Sequence, residues 1–250
     1  MITVHFLGKV LPKTASISIA HKPTIKWELP DIGKTMEFTC HIRDSNIDVE
    51  CRLERWEASL FTEAYKRAFD LSRASIGLVG FAMGQGLSVY LETFVCPDGN
   101  PSDLLFKDDS LPAMCTAFGL DHDFDIVHTI VLQEPGLYMI LNELMEAITL
   151  PHVSVVNCAR VVERIKHLLA PNAQTDNQAW ATMRTALSID EPYLRYVTDH
   201  SKNARHGKGD FIPGSTTSEV TRRAWSIVNR YLEYKKGGGH LPAGSPILCK

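Results

Sequence analysis

The spacing of apolar residues changes once along this chain, from steps of two to steps of three and four, and that change limits the fold more than any motif does. ASISIAH (15–21) and EFTCHIR (37–43) alternate apolar and polar side chains, as strands with one buried face do. SNIDVECRLERW continues the alternation through Ile47, Val49, Cys51 and Leu53, with Pro23, Pro30, Asp31 and Gly33 punctuating turns. Residues 1–55 therefore predict a small antiparallel sheet. From Trp56 the period lengthens. Leu60, Ala64, Ala68, Leu71, Ser75, Leu78 and Ala82 follow helical steps, and Trp56, Phe61, Tyr65 and Phe69 widen the face, which predicts a long buried helix. GLSVYLETFV (86–95) reads as a strand. The glycines of GFAMGQG follow a helix instead of opening one, so they predict a C-cap and turn and not a phosphate loop.

Beyond the turn-rich CPDGNPSD, DSLPAMCTAFGL predicts a short helix and IVHTIVL, after DHDFD, a strand. Asp121, His122, Asp123, Asp125 and His128 fit neither a calcium loop nor a helical His pair, and read as a solvated, capping cluster. From Pro135 the pattern is nearly all helix: GLYMILNELMEAITL, VSVVNCARVVERIKHLLAP and NQAWATMRTALSI each carry one apolar face. In the last helix Thr216 and Glu219 fit a capping box. Val220, Ala224, Ile227, Val228, Tyr231 and Leu232 form its core side, and Arg222, Arg223 and Arg230 project elsewhere. The closing HLPAGSPILCK reads as a tail pinned by Ile247 and Leu248. The expected class is α+β: an N-terminal region (1–134) with a small antiparallel sheet and a long buried helix, then an antiparallel helical bundle (135–250).

Composition excludes more than it assigns. With 44% hydrophobic and 22% charged residues over 250 positions, the chain is neither disordered nor fibrous. No apolar run reaches the roughly 18–20 residues of a bilayer span, and MITVHFLGKVLPKT lacks a signal-peptide pattern, so the expectation is a cytoplasmic protein with no membrane partner. The six cysteines show no paired spacing for zinc; they read as reduced thiols, and neither a metal nor a cofactor is expected. Charge is uneven. Residues 191–250 hold ten Lys+Arg against five Asp+Glu, leaving the rest of a chain of net charge −3 at −8. A basic end suits either an anionic partner or an ordinary solvated surface.

Chemistry concentrates in EPYLRYVTDHSKNARHGKGDF. On a helix opened by Pro192 and stopped by Gly207 and Gly209, Arg195, Asp199, Lys202 and His206 fall within about 60° of one another. Tyr193, Leu194, Val197 and Ala204 take the opposite side, and His200, Asn203 and Arg205 flank the stripe. Such a set matches metal-independent cleavage of RNA. A neutral imidazole can take the 2′-hydroxyl proton, and guanidinium and ammonium groups can hold the phosphate. Expected roles are His206 or His200 as base with Arg205 and Arg195 beside it, and Asp199 as the orienting carboxylate. Lys202, Asn203, Lys208, Arg222 and Arg223 are expected to contact phosphate. The competing reading is a solvent-facing helix whose Arg195, Asp199 and Lys202 are simply ion-paired.

The late helix running into SKNARHG, followed by a loop and a capped last helix, resembles the HEPN superfamily over residues 135–236. That resemblance implies a four- or five-helix bundle with a signature R-x4–6-H. Many members act as dimeric, metal-independent RNases, with their signature helices meeting on a two-fold axis; others are non-catalytic binding or scaffold modules. Arg195-Tyr-Val-Thr-Asp-His200 has the R-x4-H spacing, with Tyr196 in a slot the family usually gives to a polar residue. His206-Gly207 resembles the helix-ending His-Gly, but Ser201 stands where its arginine would, and Arg205 is adjacent instead. The expected function is an RNA-binding protein or ribonuclease. RNA, a second copy of the chain and a partner protein are the expected partners. The alternative is a non-catalytic dimeric scaffold whose N-terminal region senses a ligand or partner.

Overall fold

Val4, Phe6 and Val10 are fully buried while the side chains between them are not, and this alternation belongs to one of the two central strands of a six-stranded sheet. The computed structural model describes residues 1–29, 33–104, 110–150, 153–205 and 212–249. They divide into two compact units, Met1–Leu105 and Phe106–Lys250. The first contains β1 (Ile2–Leu11), β2 (Thr24–Leu29), β3 (Lys34–Arg43), β4 (Asn46–Leu53), α1 (Phe61–Met83), β5 (Ser88–Val95) and β6 (Pro101–Asp103). Strand order is β2-β3-β4-β1-β5-β6, with every described pairing antiparallel. A register shift between Leu7 and Gly8 accommodates the approach of β5, where a Cβ on Gly8 would stand 2.2 Å from the Tyr90 carbonyl oxygen.

One face of the sheet is covered by α1, which packs on β1, β3, β4 and β5. Tyr65, Phe69, Ser72, Ile76 and Gly80 lie on its buried side. Of the expected stripe Leu60, Ala64, Ala68 and Leu71 are buried with Tyr65 and Phe69, but toward the C-terminal end the buried side shifts to Ile76 and Gly80, and Leu78 and Ala82 are exposed. The helix begins at Phe61, after a single 3-10 turn at Ala58–Leu60, and ends as expected at Gly84, whose φ of 63° is left-handed. The segment 15–21 is not a strand. Ser16 turns left-handed, the Ile17 amide donates to the Ser45 hydroxyl, and one bridge remains, Ile19 to Ile42.

The second unit holds α2 (Leu111–Met114), α3 (Phe124–Gln133), α4 (Pro135–Thr149), α5 (Ser154–Leu169), α6 (Asp176–Leu187), α7 (Glu191–Asp199), α8 (Lys202–Arg205) and α9 (Gly214–Lys236). Its core gathers Leu137, Ile140, Leu144, Cys158, Val162, Ile165, Met183, Val197, Ala224 and Tyr231, with α5 packed on α4, α6, α7 and α9. The whole is α+β, as expected. The units part at residue 105 and not at 134, because Ala117, Val127 and Val131 join the helical core.

IVHTIVL lies in a helix, not a strand. Val127 and Val131, one turn apart, are buried, while apolar neighbours around the rest of α3 hide its helical period from the sequence. The capping box at Thr216 is also absent: α9 starts at Gly214 after Pro213, and Glu219 instead receives the Arg223 side chain. Of the two residues expected to pin the tail, Leu248 does so. Its amide donates to the Ser188 carbonyl (2.9 Å) and its carbonyl accepts from the Asp190 amide (3.0 Å), whereas Ile247 is 62% exposed. All six cysteines are free thiols. Among the described residues no helix is long and apolar enough to cross a membrane.

Candidate functional site

Asp190 fixes the start of α7 by accepting from the Tyr193 amide at 2.8 Å, with Pro192 in the first turn. The helix then stops sooner than its sequence pattern suggests. Ser201 is completely buried, and its hydroxyl donates to the Thr198 carbonyl at 2.7 Å. That local bond competes with continuation of the helix, so the expected single helix is broken at His200 and Ser201 into α7 and α8.

Arg195, Asp199 and Lys202 still share a wall. They face a cleft of about 610 Å³ bounded by residues of α5, α6, α7 and α8. Each is paired: Arg195 Nη2 lies 2.7 Å from Glu191 Oε1, and Lys202 Nζ lies 2.8 Å from Asp199 Oδ1. Glu191 also receives Arg184 from α6, so one carboxylate holds two guanidiniums. The hydrogen bond from Arg184, then the charges of Arg195 and Arg184, keep the Glu191 carboxyl below its ordinary range. Deeper in the same cleft, Lys166 is 5% exposed and bonds to Asp176. Trp180 Nε1 donates to the other Asp176 oxygen at 2.9 Å, and Lys166 Nζ stands 4.6 Å from the centre of the indole ring. The Lys166 hydrogen bond is the largest cause holding Asp176 below the usual carboxylate range.

Other expected site residues do not join this group. An R-x4-H pair lies about 140° apart around a helix. Arg195 accordingly reaches the cleft while His200 leaves α7 on the side of Tyr196, its ring 4.7 Å away and edge-on. Arg223, expected at a phosphate, is buried: its guanidinium carbon lies 4.0 Å over Tyr196 and 4.8 Å over Tyr193, and Nε donates to Glu219 at 2.6 Å. Aromatic faces and a carboxylate one turn away explain how a charge so placed is tolerated. Arg230, also expected at the surface, is buried and donates to the Pro246 carbonyl at 2.9 Å. Arg222 Nε donates to the Ser110 hydroxyl at 3.2 Å. Asn203 is exposed on α8. The Arg205 side chain, His206 and Lys208 lie outside the described residues.

Four more residues belong to the cleft, of which the sequence reading used only Trp180, placed with Met183 and Leu187 toward the core, against which it does pack. Glu191 could have been found as the partner four positions before Arg195, and Trp180 and Arg184 by their shared helix face. Lys166 looks like any surface lysine in sequence; only the packing of α5 against α6 buries it.

Residues 4–105 match the N-terminal domain, and residues 125–236 the C-terminal domain, of a family described as a domain of unknown function (DUF8168). A search of curated proteins and a search of solved structures each gave no match. The sheet unit and the helical unit are thus each similar to one of the two domains of a single family, DUF8168.

Proposed function

We propose that the helical unit is an RNA-binding module of HEPN-like type, with the cleft among α5, α6 and α7 taking the RNA backbone. One observation carries this reading: Arg184 and Arg195 converge on the single carboxylate of Glu191. The cleft lining balances four carboxylates (Glu163, Asp176, Glu191, Asp199) against four cations (Lys166, Arg184, Arg195, Lys202), so the donors of the two guanidinium forks, and not an excess of charge, would take phosphate oxygens. The Asp199–Lys202 pair is about half exposed, and such pairs hold together weakly enough for a phosphate to compete.

Binding is better supported than cleavage. A general base must come within hydrogen-bond reach of the 2′-hydroxyl, and none of the described residues lining the cleft is a histidine. A ribonuclease reading depends on His206, with Arg205 and Lys208 beside it. The test measures labelled single-stranded RNA on the full chain and on Arg184→Gln/Arg195→Gln, with Arg73→Gln as a control on an exposed arginine of α1. A loss of ten-fold or more in the double variant alone is expected; unchanged binding, or none by the wild type, overturns the reading. Incubation of the same RNA in EDTA, with His206→Ala alongside, decides cleavage.

A second reading, a dimeric scaffold whose sheet unit senses a ligand or partner, is favoured by a different observation. Phe124, Ile126 and Leu132 of α3 and Tyr138, Met139 and Met145 of α4 are exposed apolar side chains. A dimer by light scattering with negligible affinity for polyanions selects it.

A further inference from the structure

We infer that the sheet unit pairs with a second copy of this chain, β2 against β2, in an antiparallel register centred on Trp27. This pairing rests on neither of the readings above.

β2 forms one edge of the sheet and β6 the other, and the two edges differ. β6 has three residues and opens with Pro101, features that blunt an edge against further pairing. β2 runs six residues, Thr24–Leu29, without a proline. Its outward backbone groups follow from the inward ones. The Pro23 carbonyl accepts from the Cys40 amide at 3.0 Å, next to the Thr24–Thr39 pair. Antiparallel ladders alternate, so Ile25, Trp27 and Leu29 turn their N–H and C=O groups to β3. Thr24, Lys26 and Glu28 turn theirs to the open edge, and their side chains are exposed.

That edge is complementary to itself. Opposite residues of an antiparallel pair share one face of the sheet. With α1 on the same side of both copies, the two-fold axis therefore passes through a residue and not between two. Centred on Trp27, the register sets Trp27 beside Trp27, Ile25 beside Leu29, and Lys26 beside Glu28 of the second copy. The apolar pairs fall on the side of the half-buried residues, and the ion pairs on the exposed side. Each ion pair coincides with a hydrogen-bonded pair, and the tryptophans form the closer, non-hydrogen-bonded one. Centring on either neighbour sets lysine against lysine or glutamate against glutamate at the axis, which is unfavourable. Lysine on an edge strand ordinarily discourages pairing. Here Glu28, two residues on, makes the same charge select its own copy. Arg67 lies 3.5 Å over the Trp27 ring, and its charge is met by Glu63 at 2.8 Å and Asp70 at 3.3 Å.

An edge of six residues is a small contact, so association in the micromolar range is expected. The test is sedimentation velocity of the full chain from about 1 to about 100 µM, with circular dichroism to check the fold. The wild type should pass from monomer to dimer. Lys26→Glu and Glu28→Lys should each weaken the dimer about ten-fold or more, since each sets like charges opposite one another on both sides of the axis. Lys26→Glu/Glu28→Lys should regain wild-type association to within about three-fold, a rescue specific to this register. Lys26→Pro, which removes an outward amide and no bond to β3, should give a folded monomer. A wild type that stays monomeric at about 100 µM overturns the inference. So does a dimer that the single charge variants leave unchanged, which would put the contact elsewhere, as on the exposed apolar side chains of α3 and α4. A double variant as weak as the single ones overturns the register. RNA binding by the helical unit is measured separately and survives each of these outcomes.

Discussion

Arg223 lies over the ring of Tyr196, its guanidinium carbon 4.0 Å from the ring centre, and only 7% of the residue is exposed. Glu219 takes its Nε, and the buried Nη1 has no hydrogen-bond partner among the described residues. A buried cation with an unsatisfied donor is held at a cost that an apolar side chain of similar length avoids. Arg223→Met should therefore change stability by less than about 1 kcal/mol in either direction, whereas Arg223→Ala, which also removes the stem packed on two tyrosines, should cost about 2–4 kcal/mol. Urea unfolding followed by circular dichroism checks both. RNA affinity should be unchanged in Arg223→Met, since the side chain does not line the cleft.

Arg223 also marks where sequence stops being informative. The apolar face of its helix is legible: Val220, Ala224, Ile227, Val228, Tyr231 and Leu232 are all buried as their spacing demands. Yet the burial of Arg223 is set by Tyr193 and Tyr196 on α7, about thirty positions away, which no local period reveals. The same holds for α3. A short helix with apolar residues on all sides has no period to detect, and contacts with α4 and α9 decide its form. At the site, the stripe Arg195, Asp199 and Lys202 was legible because all three lie within helical spacing on one face. His206, the fourth member expected there, lies outside the described residues; what spacing does not reveal is the break at Ser201, which depends on a hydroxyl choosing the Thr198 carbonyl.

Ser201 offers a direct check on the alignment with the HEPN signature. If His206 is the signature histidine, the family's arginine belongs at position 201. That position has no exposed surface, and an arginine there would bury a charge and a long side chain in place of a hydroxymethyl group. Ser201→Arg should destabilise the helical unit by more than about 3 kcal/mol and should gain no RNA cleavage. A stable variant, by thermal denaturation, with new EDTA-resistant cleavage would refute this.

Asn229 joins α9 to the turn after α2 through every hydrogen-bonding position it has. Its Oδ1 accepts from the Thr116 and Ala117 amides, each at 2.9 Å, and its Nδ2 donates to Thr116 Oγ1 at 2.8 Å and Glu233 Oε1 at 3.3 Å. Removing the amide leaves two backbone N–H groups without a partner, the Ala117 one buried. Asn229→Ala should cost about 2–4 kcal/mol, and Asn229→Leu at least as much, because added apolar bulk cannot satisfy those donors. Hydrogen exchange at Ala117 gives the local readout: its amide should lose protection in both variants while the core of α5 retains it.

Burial pushes the thiols of Cys51 and Cys158 up to about 12 and that of Cys40 up to about 11. The hydroxyls of Tyr65 and Tyr231 shift in the same direction, for the same first reason. The unfolded chain releases its thiol protons near pH 8.5–9. Above that, the folded chain keeps protons that the unfolded chain has lost, so stability is complete below about pH 8.5 and declines as pH rises toward 11. Urea midpoints taken from pH 7 to pH 10.5 should fall steadily. Replacing Cys158 by alanine should flatten that fall for the helical unit, even though the variant is less stable at neutral pH. The accompanying reactivity order is equally specific. At pH 8 the exposed Cys249 should react with a thiol reagent first and the buried Cys158 last, at a rate limited by unfolding. Fast labelling of Cys158 in the native protein would contradict the packing of α5 against α9.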